Sequence, residues 1–227
     1  MCSQYELVSP VSKIISETKV TLDDTVLSLT WDTHVFPYAK APVITRYNNQ
    51  NSLRLMSYSL VPSWSKTAKP KFTTYNARLD RPAKEGDRLE LIYEAPTWRQ
   101  PFKSQRCIVP ISGFFESCRE GGHAGNIVKF SNQDESDLLL AAGVYDRWTD
   151  LNTGEIIDSF AILTDDPVAF ILEVGHDRQP VFLNLDNAYK WLDHSALLVT
   201  AAYDFLKTHQ LSIDYKVTDI RKLKGYS

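Results

Sequence analysis

The chain carries a cysteine at position 2, an Asn and an Arg two residues apart (Asn76, Arg78), and a glutamate inside the aromatic run Gly113-Phe114-Phe115-Glu116-Ser117. It also carries a histidine in Gly175-His176-Asp177-Arg178-Gln179-Pro180. Cys2 follows Met1, and its small side chain permits removal of the initiator methionine, which would leave a free 1,2-aminothiol. The α-amine of such a terminus titrates just above neutrality, so an appreciable part is nucleophilic, and the adjacent thiol is a strong second nucleophile. Together they capture aldehydes: the amine forms a Schiff base and the thiol closes a thiazolidine ring, a step favoured by proximity. Position alone leaves open a terminal cysteine without a role.

Asn76 and Arg78 would point to one face if the extended run at 72–75 continues through them; the alternative is a turn, where Asn satisfies local backbone groups. Glu116 places a carboxylate in an apolar strand, suited to acid–base work if it faces inward and an ordinary solvent-side residue if it faces out. His176 lies in an irregular connection of the kind that carries functional groups, and an imidazole shuttles protons near neutral pH. His34, His123, His194 and His209 read as capping or surface residues. No HExxH pair, Cys/His ladder, acidic calcium loop or phosphate-cradling GxxxxGK[ST] occurs, so no metal and no cofactor is expected, and a GxSxG elbow is absent too.

The elements that must position these residues are mostly strands. Ser52 to Val61, Phe72 to Tyr75, Cys107 to Pro110, Gly125 to Phe130 and Leu138 to Val144 read as extended, and Asn152-Thr153-Gly154 joins two more runs as a hairpin turn. Short helices are predicted after Asp166-Pro167 (Val168 to Val174), after Leu185-Asp186 (Asn187 to Leu192) and over Ser195 to His209, before a last strand at Ile213 to Val217. The fold class is α+β and β-rich, a mainly antiparallel sheet or barrel with short peripheral helices. No Gly/Pro/Ser tract interrupts the 227 residues, so 1–227 read as one domain. Nothing approaches the ~20 apolar residues of a membrane span. Three cysteines, Cys2, Cys107 and Cys118, in no CxxC spacing fit a reducing cytoplasm. The net charge is −3, but Trp64 to Arg106 holds ten Lys/Arg against five acids, so that segment is +5 and the remainder −8, which can concentrate positive potential on one face.

Taken together, Met1-Cys2, Leu60-Val61-Pro62-Ser63-Trp64, Asn76-Ala77-Arg78, Arg106-Cys107-Ile108-Val109-Pro110 leading into Gly113-Phe114-Phe115-Glu116, and His176-Asp177-Arg178-Gln179-Pro180 resemble the SRAP family, the SOS response-associated peptidase-like proteins. The order and separations match over nearly the whole chain. The resemblance implies a compact β-rich fold with a DNA-binding channel, covalent capture of abasic sites in single-stranded DNA by Cys2, and autocatalytic or assisted loss of Met1. By the same resemblance Cys2 would be the nucleophile, Asn76 would hydrogen-bond the sugar or the Cys2 amine, and Glu116 and His176 would move protons. Arg78, Arg178 and Arg106 would contact DNA, and Trp64 would stack on a base or shape the channel. A cytoplasmic, nucleoid-associated location would follow in a bacterium. The chain departs from the family pattern at Ser3-Gln4, Tyr58-Ser59, Asp80, Ser117 and Gln179. A cysteine peptidase acting in trans and a noncatalytic binding module are the competing readings.

Overall fold

A computed structural model describes residues 4–22, 31–83 and 87–223; Cys2 lies outside the described residues. In chain order they form β1 (Gln4–Glu6), α1 (Val11–Thr18), β2 (Thr21–Leu22), β3 (His34–Val35), β4 (Lys40–Tyr47) and β5 (Gln50–Tyr58). Next come β6 (Asn76–Arg78), β7 (Asp80–Pro82), β8 (Leu89–Leu91), α2 (Arg99–Ser104), β9 (Arg106–Ile111), β10 (Gly113–Cys118) and β11 (Asn126–Asn132). The chain ends in β12 (Leu139–Thr149), β13 (Ile156–Asp165), α3 (Ala169–Val174), β14 (Gln179–Pro180), β15 (Phe182–Leu183), α4 (Leu185–Leu192), α5 (Val199–Thr208) and β16 (Tyr215–Lys222). No helix among the described residues is long and apolar enough to cross a membrane.

The fold is β-rich α+β, built on a closed five-strand barrel. Strands β13, β12, β9, β4 and β5 pair antiparallel in that order, and a parallel pairing of Ser57 and Tyr58 with Ser159 and Phe160 joins β5 back to β13. Closure removes the unpaired edges that an open sheet would leave. Asn48 and Asn49 turn β4 into β5 at positive φ (47° and 62°), the backbone that a two-residue hairpin requires and that Asn tolerates. All six residues of β9 are buried. Its inner face fills the barrel, and Trp191 of α4 covers the outside, donating its indole N–H to the Cys107 carbonyl at 3.1 Å.

β9 runs into β10 through Ser112, whose amide donates to the Glu6 carbonyl at 2.7 Å while its hydroxyl accepts from the Val8 amide at 3.1 Å. This pivot carries the chain from the barrel into a second antiparallel sheet of order β16-β11-β10-β1-β3. β10 is its central strand.

The expected hairpin around Asn152-Thr153-Gly154 forms, with Gly154 at φ 76°. Other boundaries differ for local reasons. Residues 72–75 are irregular and the strand begins at Asn76. Asp166 does not cap α3, because its carboxylate accepts from Arg78 at 2.8 Å. Asn184 rather than Asp186 caps α4, accepting from the Asn187 amide at 2.9 Å, so that helix starts two residues early. Helix α5 covers only Val199–Thr208 of the run expected from 195 to 209.

Arg106 also stands apart from its expected DNA contact. Its side chain is buried, donating to the carbonyls of Phe102 (2.9 Å), Leu197 (2.9 Å) and Trp191 (3.4 Å), with the guanidinium 4.6 Å from the Trp191 ring centre. Burial lowers its pKa to about 10. The residue ties α2, β9 and α4 together and presents nothing to a strand outside. Arg106→Ala leaves these carbonyls without a donor, a loss of roughly 3 kcal/mol. The expected result is a lower urea midpoint at unchanged slope; a parental midpoint would show that the guanidinium contributes nothing to stability.

Candidate functional site

Burial decides the direction of Glu116. Along β10 only Ser117 is exposed, and the Glu116 side chain is 1% exposed. An isolated buried carboxylate is costly, so it needs a partner that shares or returns its proton. His176 supplies one: its Nε2 lies 2.9 Å from Glu116 Oε2, with the imidazole buried as well. The other ring nitrogen, Nδ1, sits 3.1 Å from the Arg178 carbonyl and 3.3 Å from the Arg178 amide. Nδ1 can therefore donate to the first or accept from the second, so either tautomer is held without moving the ring. The pair can pass a proton between carboxyl and imidazole in place, which is what general acid–base work requires.

His176 owes its position to backbone. Helix α3 ends at Gly175 with φ 109°; the Gly175 amide donates to Ile171 and Leu172 carbonyls and the His176 amide to Ile171. A Cβ on Gly175 would lie 1.8 Å from the Glu120 carbonyl oxygen, and one on Gly121, at φ 74°, would lie 2.6 Å from the Glu173 carbonyl oxygen and 2.9 Å from the Gly175 backbone. The Gly122 amide donates to the Glu173 carbonyl at 3.2 Å. The loop leaving the glutamate strand is thus locked, backbone on backbone, to the turn that presents the histidine.

Asn76 and Arg78 lie on β6, which pairs parallel with β13, and both line one cavity of about 260 Å³ together with Thr73, Arg81, Trp98 and Arg178. Both side-chain amide atoms of Asn76 are buried with no hydrogen-bond partner among the described residues. Such a group in a native fold asks for an explanation, and a ligand is one. A second cavity, about 730 Å³, is lined by Tyr75, Ser117, Arg119, Glu120, Leu172, His176, Asp177 and Arg178. A third, about 240 Å³, holds Tyr38, Lys71, Phe72, Thr73 and Tyr75. Arg178 lines the first two, Tyr75 the last two and Thr73 the first and third, so the cavities adjoin one another around these residues.

Trp64 is exposed and stacks on exposed Phe72 (6.0 Å between centres, 16° between planes). Its loop is pinned where Trp148 donates to the Ser65 carbonyl at 2.7 Å and the Ser63 amide donates to Asp146 at 2.7 Å. Phe72, Arg81, Trp98 and Arg119 were not singled out from the sequence. The basic excess over 64–106 was a signal for Arg81, but counting could not say which cations have an acid beside them: Arg81 pairs with Glu90, Arg88 with Glu94, and Arg78 with the exposed Asp166.

Asp80, Asp165 and Asp166 bring carboxylate oxygens close enough to ligate an ion. Lys207 answers two of them directly, at 3.2 Å from Asp80 and 2.7 Å from Asp165, while Arg78 answers the third. Of the thiols, Cys107 is pushed up by burial, and Cys118 is pushed up to about 11 by burial and then by the Glu116 carboxylate. Both are held as thiols and make poor nucleophiles at neutral pH. Cys2 is two peptide units, at most about 7 Å of chain, from Gln4. Gln4 is itself fixed in register with Phe115, next to Glu116.

A family model described as SOS response associated peptidase (SRAP) matches residues 1–220. Among curated proteins, the chain is 28% identical over 193 residues to the abasic site processing protein YoaM of Bacillus subtilis, covering 85% of this chain and 79% of that one. It is 30% identical over 183 residues to the abasic site processing protein HMCES of Gallus gallus, covering 70% of this chain and 51% of that one. Among solved structures, a protein from Bacteroides thetaiotaomicron superposes with a TM-score of 0.76 at 25% identity, covering 97% and 92% of the two chains. A Bordetella bronchiseptica protein has the same fold (TM-score 0.74, 20% identity, 97% and 100% covered).

The glycine lock predicts unequal costs for two similar changes. At Gly154 an added Cβ meets nothing within 4 Å, so Gly154→Ala bears only the cost of positive φ, roughly 1 kcal/mol. Gly175→Ala adds a backbone collision that must displace the Glu120 turn, and should destabilise by at least about 3 kcal/mol. Thermal unfolding of the two variants side by side checks this; equal shifts would refute the lock.

Proposed function

Because this chain belongs to the SOS response associated peptidase (SRAP) family, we propose that it is a DNA-damage protein that captures abasic sites in single-stranded DNA through Cys2, once Met1 has been removed by its own chemistry or an aminopeptidase. The observation that carries the proposal is the buried Glu116–His176 pair at 2.9 Å, with an unpartnered Asn76 amide and the cations Arg78 and Arg178 in the adjoining cavities. Relatives of the same length class bear the name abasic site processing protein. Residues 1–227 would act as one SRAP domain, in a reducing compartment where the terminal thiol persists.

The chemistry follows from the groups present. A proton delivered to the ring oxygen of the abasic deoxyribose opens it to the aldehyde. The Cys2 amine adds to that carbonyl carbon, and the carbinolamine loses water to give a Schiff base. The Cys2 sulfur then adds to the same carbon as its proton passes to nitrogen, closing the thiazolidine; the sum is one water released and no change of oxidation state. Glu116 and His176 carry the protons, Asn76 orients the amine or the sugar hydroxyl, and Arg78 and Arg178 hold the flanking phosphates. Trp64, on Phe72, offers a face to an unpaired base.

Incubation of the native protein with an oligonucleotide bearing one abasic site should yield a species that survives denaturing electrophoresis. Cys2→Ala should abolish it with folding intact, because the substitution lies at a chain terminus. Cys2→Ser should give an adduct that forms and then decays. Undiminished crosslinking by Cys2→Ala would sink the proposal. Glu116→Gln and His176→Ala should slow single-turnover crosslinking by about 10²–10⁴ and alter its pH profile while leaving a slow reaction, since amine and thiol remain. Parental rates and profiles in both variants would remove the proton-transfer roles.

A further inference from the structure

Glu6 of β1 lies opposite Gly113 and Lys129 of β11 lies opposite Phe115, so both point to the side of the second sheet that Glu116 does not. Their strands are not neighbours: β10 runs between them, a separation of roughly 10 Å at the usual strand spacing. The side chains close that gap, with Lys129 Nζ 2.6 Å from Glu6 Oε2 and each side chain less than one-fifth exposed. They can meet because Gly113, the only glycine of β10, has no side chain. A Cβ there would lie 3.0 Å from Lys129 Cε and 2.8 Å from the Phe130 carbonyl oxygen, so the lysine stem crosses β10 at its one bare position. We propose that Lys129 is a positioning residue: strapped over Gly113 to Glu6, it fixes the register of β1 and with it the point from which Cys2 reaches Glu116 and His176. The proposal rests on the reading that Cys2 is the nucleophile, and adds what sets its approach.

β1 has three residues, and a strand so short carries few ladder hydrogen bonds of its own. Its apolar pattern specifies the register incompletely. Tyr5 and Leu7 are both buried, so a slip of two residues keeps an apolar side chain on the inner face, where a slip of one does not. The carboxylate removes that degeneracy: shifted by two, the position opposite Gly113 would hold Gln4 or Val8, neither of which carries a charge. The Ser112 amide on the Glu6 carbonyl supports the same register from the backbone. The cation is itself anchored from the far side of the sheet. Lys129 also meets Glu135 at 2.8 Å, and Glu135 meets Lys216 of β16 at 2.6 Å. Burial pulls the Lys129 pKa down, but the hydrogen bonds to Glu135 and Glu6 outweigh it and hold the ammonium above the usual lysine range. A pair this sheltered is little screened by salt.

The test uses the full chain and an oligonucleotide with one abasic site, with crosslinking followed under single turnover at rising protein concentration. Lys129→Met keeps the stem and removes the charge; Glu6→Gln keeps the shape of the partner. Each should lower the rate constant at saturation by roughly ten- to a hundredfold, the scale of an ångström of misplacement. The half-saturating concentration and the pH profile should stay parental, since the acid–base pair is untouched. The double variant should lose no more than either single one, because both break the same contact. Lys129→Arg should keep the parental rate. Deuterium uptake at the amides of residues 4–8 should rise in Lys129→Met and stay low in Lys129→Arg. Thermal unfolding verifies that each variant is folded at the assay temperature, so that a lowered rate at saturation belongs to folded protein. Parental rates in both single variants, losses that add in the double variant, or unchanged uptake overturn this inference alone. A parent that forms no crosslink overturns the Cys2 reading, and this inference with it.

Discussion

The Glu120 carbonyl oxygen resting where a side chain of Gly175 would begin is the contact on which the site depends. A buried carboxylate on a central strand is unfavourable by itself, and Glu116 is tolerable there because an imidazole arrives within hydrogen-bond distance. That imidazole is not on the same sheet or a neighbouring strand. It comes from a turn after a six-residue helix, sixty positions later, and a short helix of that kind has little stability of its own. Two glycines at positive φ allow the turn and the β10–β11 loop to approach at backbone distance, which fixes the imidazole more tightly than side-chain packing would. The barrel, through the pivot at Ser112, holds the sheet that holds the loop.

The molecule balances its buried charge in two ways. Around Asp80 and Asp165 the account is closed: Lys207, the Tyr203 hydroxyl and the Gln210 amide saturate the carboxylates, and the cluster ties β7, β13 and α5 together. Around Asn76 it is open, with a buried amide whose donor and acceptor find nothing among the described residues. Closed networks rigidify a fold, while open ones give up some stability to keep groups available. The contrast separates acids whose charge is answered within the fold from a buried amide that is not, a distinction that composition and charge counts do not make.

That distinction also marks what could be read from the sequence. The same-face placement of Asn76 and Arg78 follows from strand geometry, and the expected hairpin at Gly154 follows from turn chemistry; both are local. The direction of Glu116 was open because period-two alternation says that it faces opposite Ser117, and not which side of β10 the molecule covers. Arg106 lay in a basic segment and beside a conspicuous apolar strand, but the three carbonyls that absorb its charge come from Phe102, Trp191 and Leu197, two of them about ninety residues away. The Gly121–Gly175 approach is invisible for the same reason: each glycine alone reads as a turn. β4 was missed because its run from Ala41 to Thr45 is buried throughout and contains Pro42, so neither alternation nor a breaker-free run announces it.

The position of β1 has a consequence for how the amino terminus can evolve. It is an inner strand, hydrogen-bonded to β3 on one side and β10 on the other, with Gln4 opposite Phe115. On the proposed reading Cys2 would be a tethered reagent, its effective concentration at the Glu116–His176 pair set by the two peptide units ahead of Gln4. That reading constrains the number of those units: one residue more or fewer would change where the amine can reach, and sliding the strand to compensate would turn Tyr5, now buried, out to solvent. Selection at this end should act on insertions and deletions before it acts on substitutions.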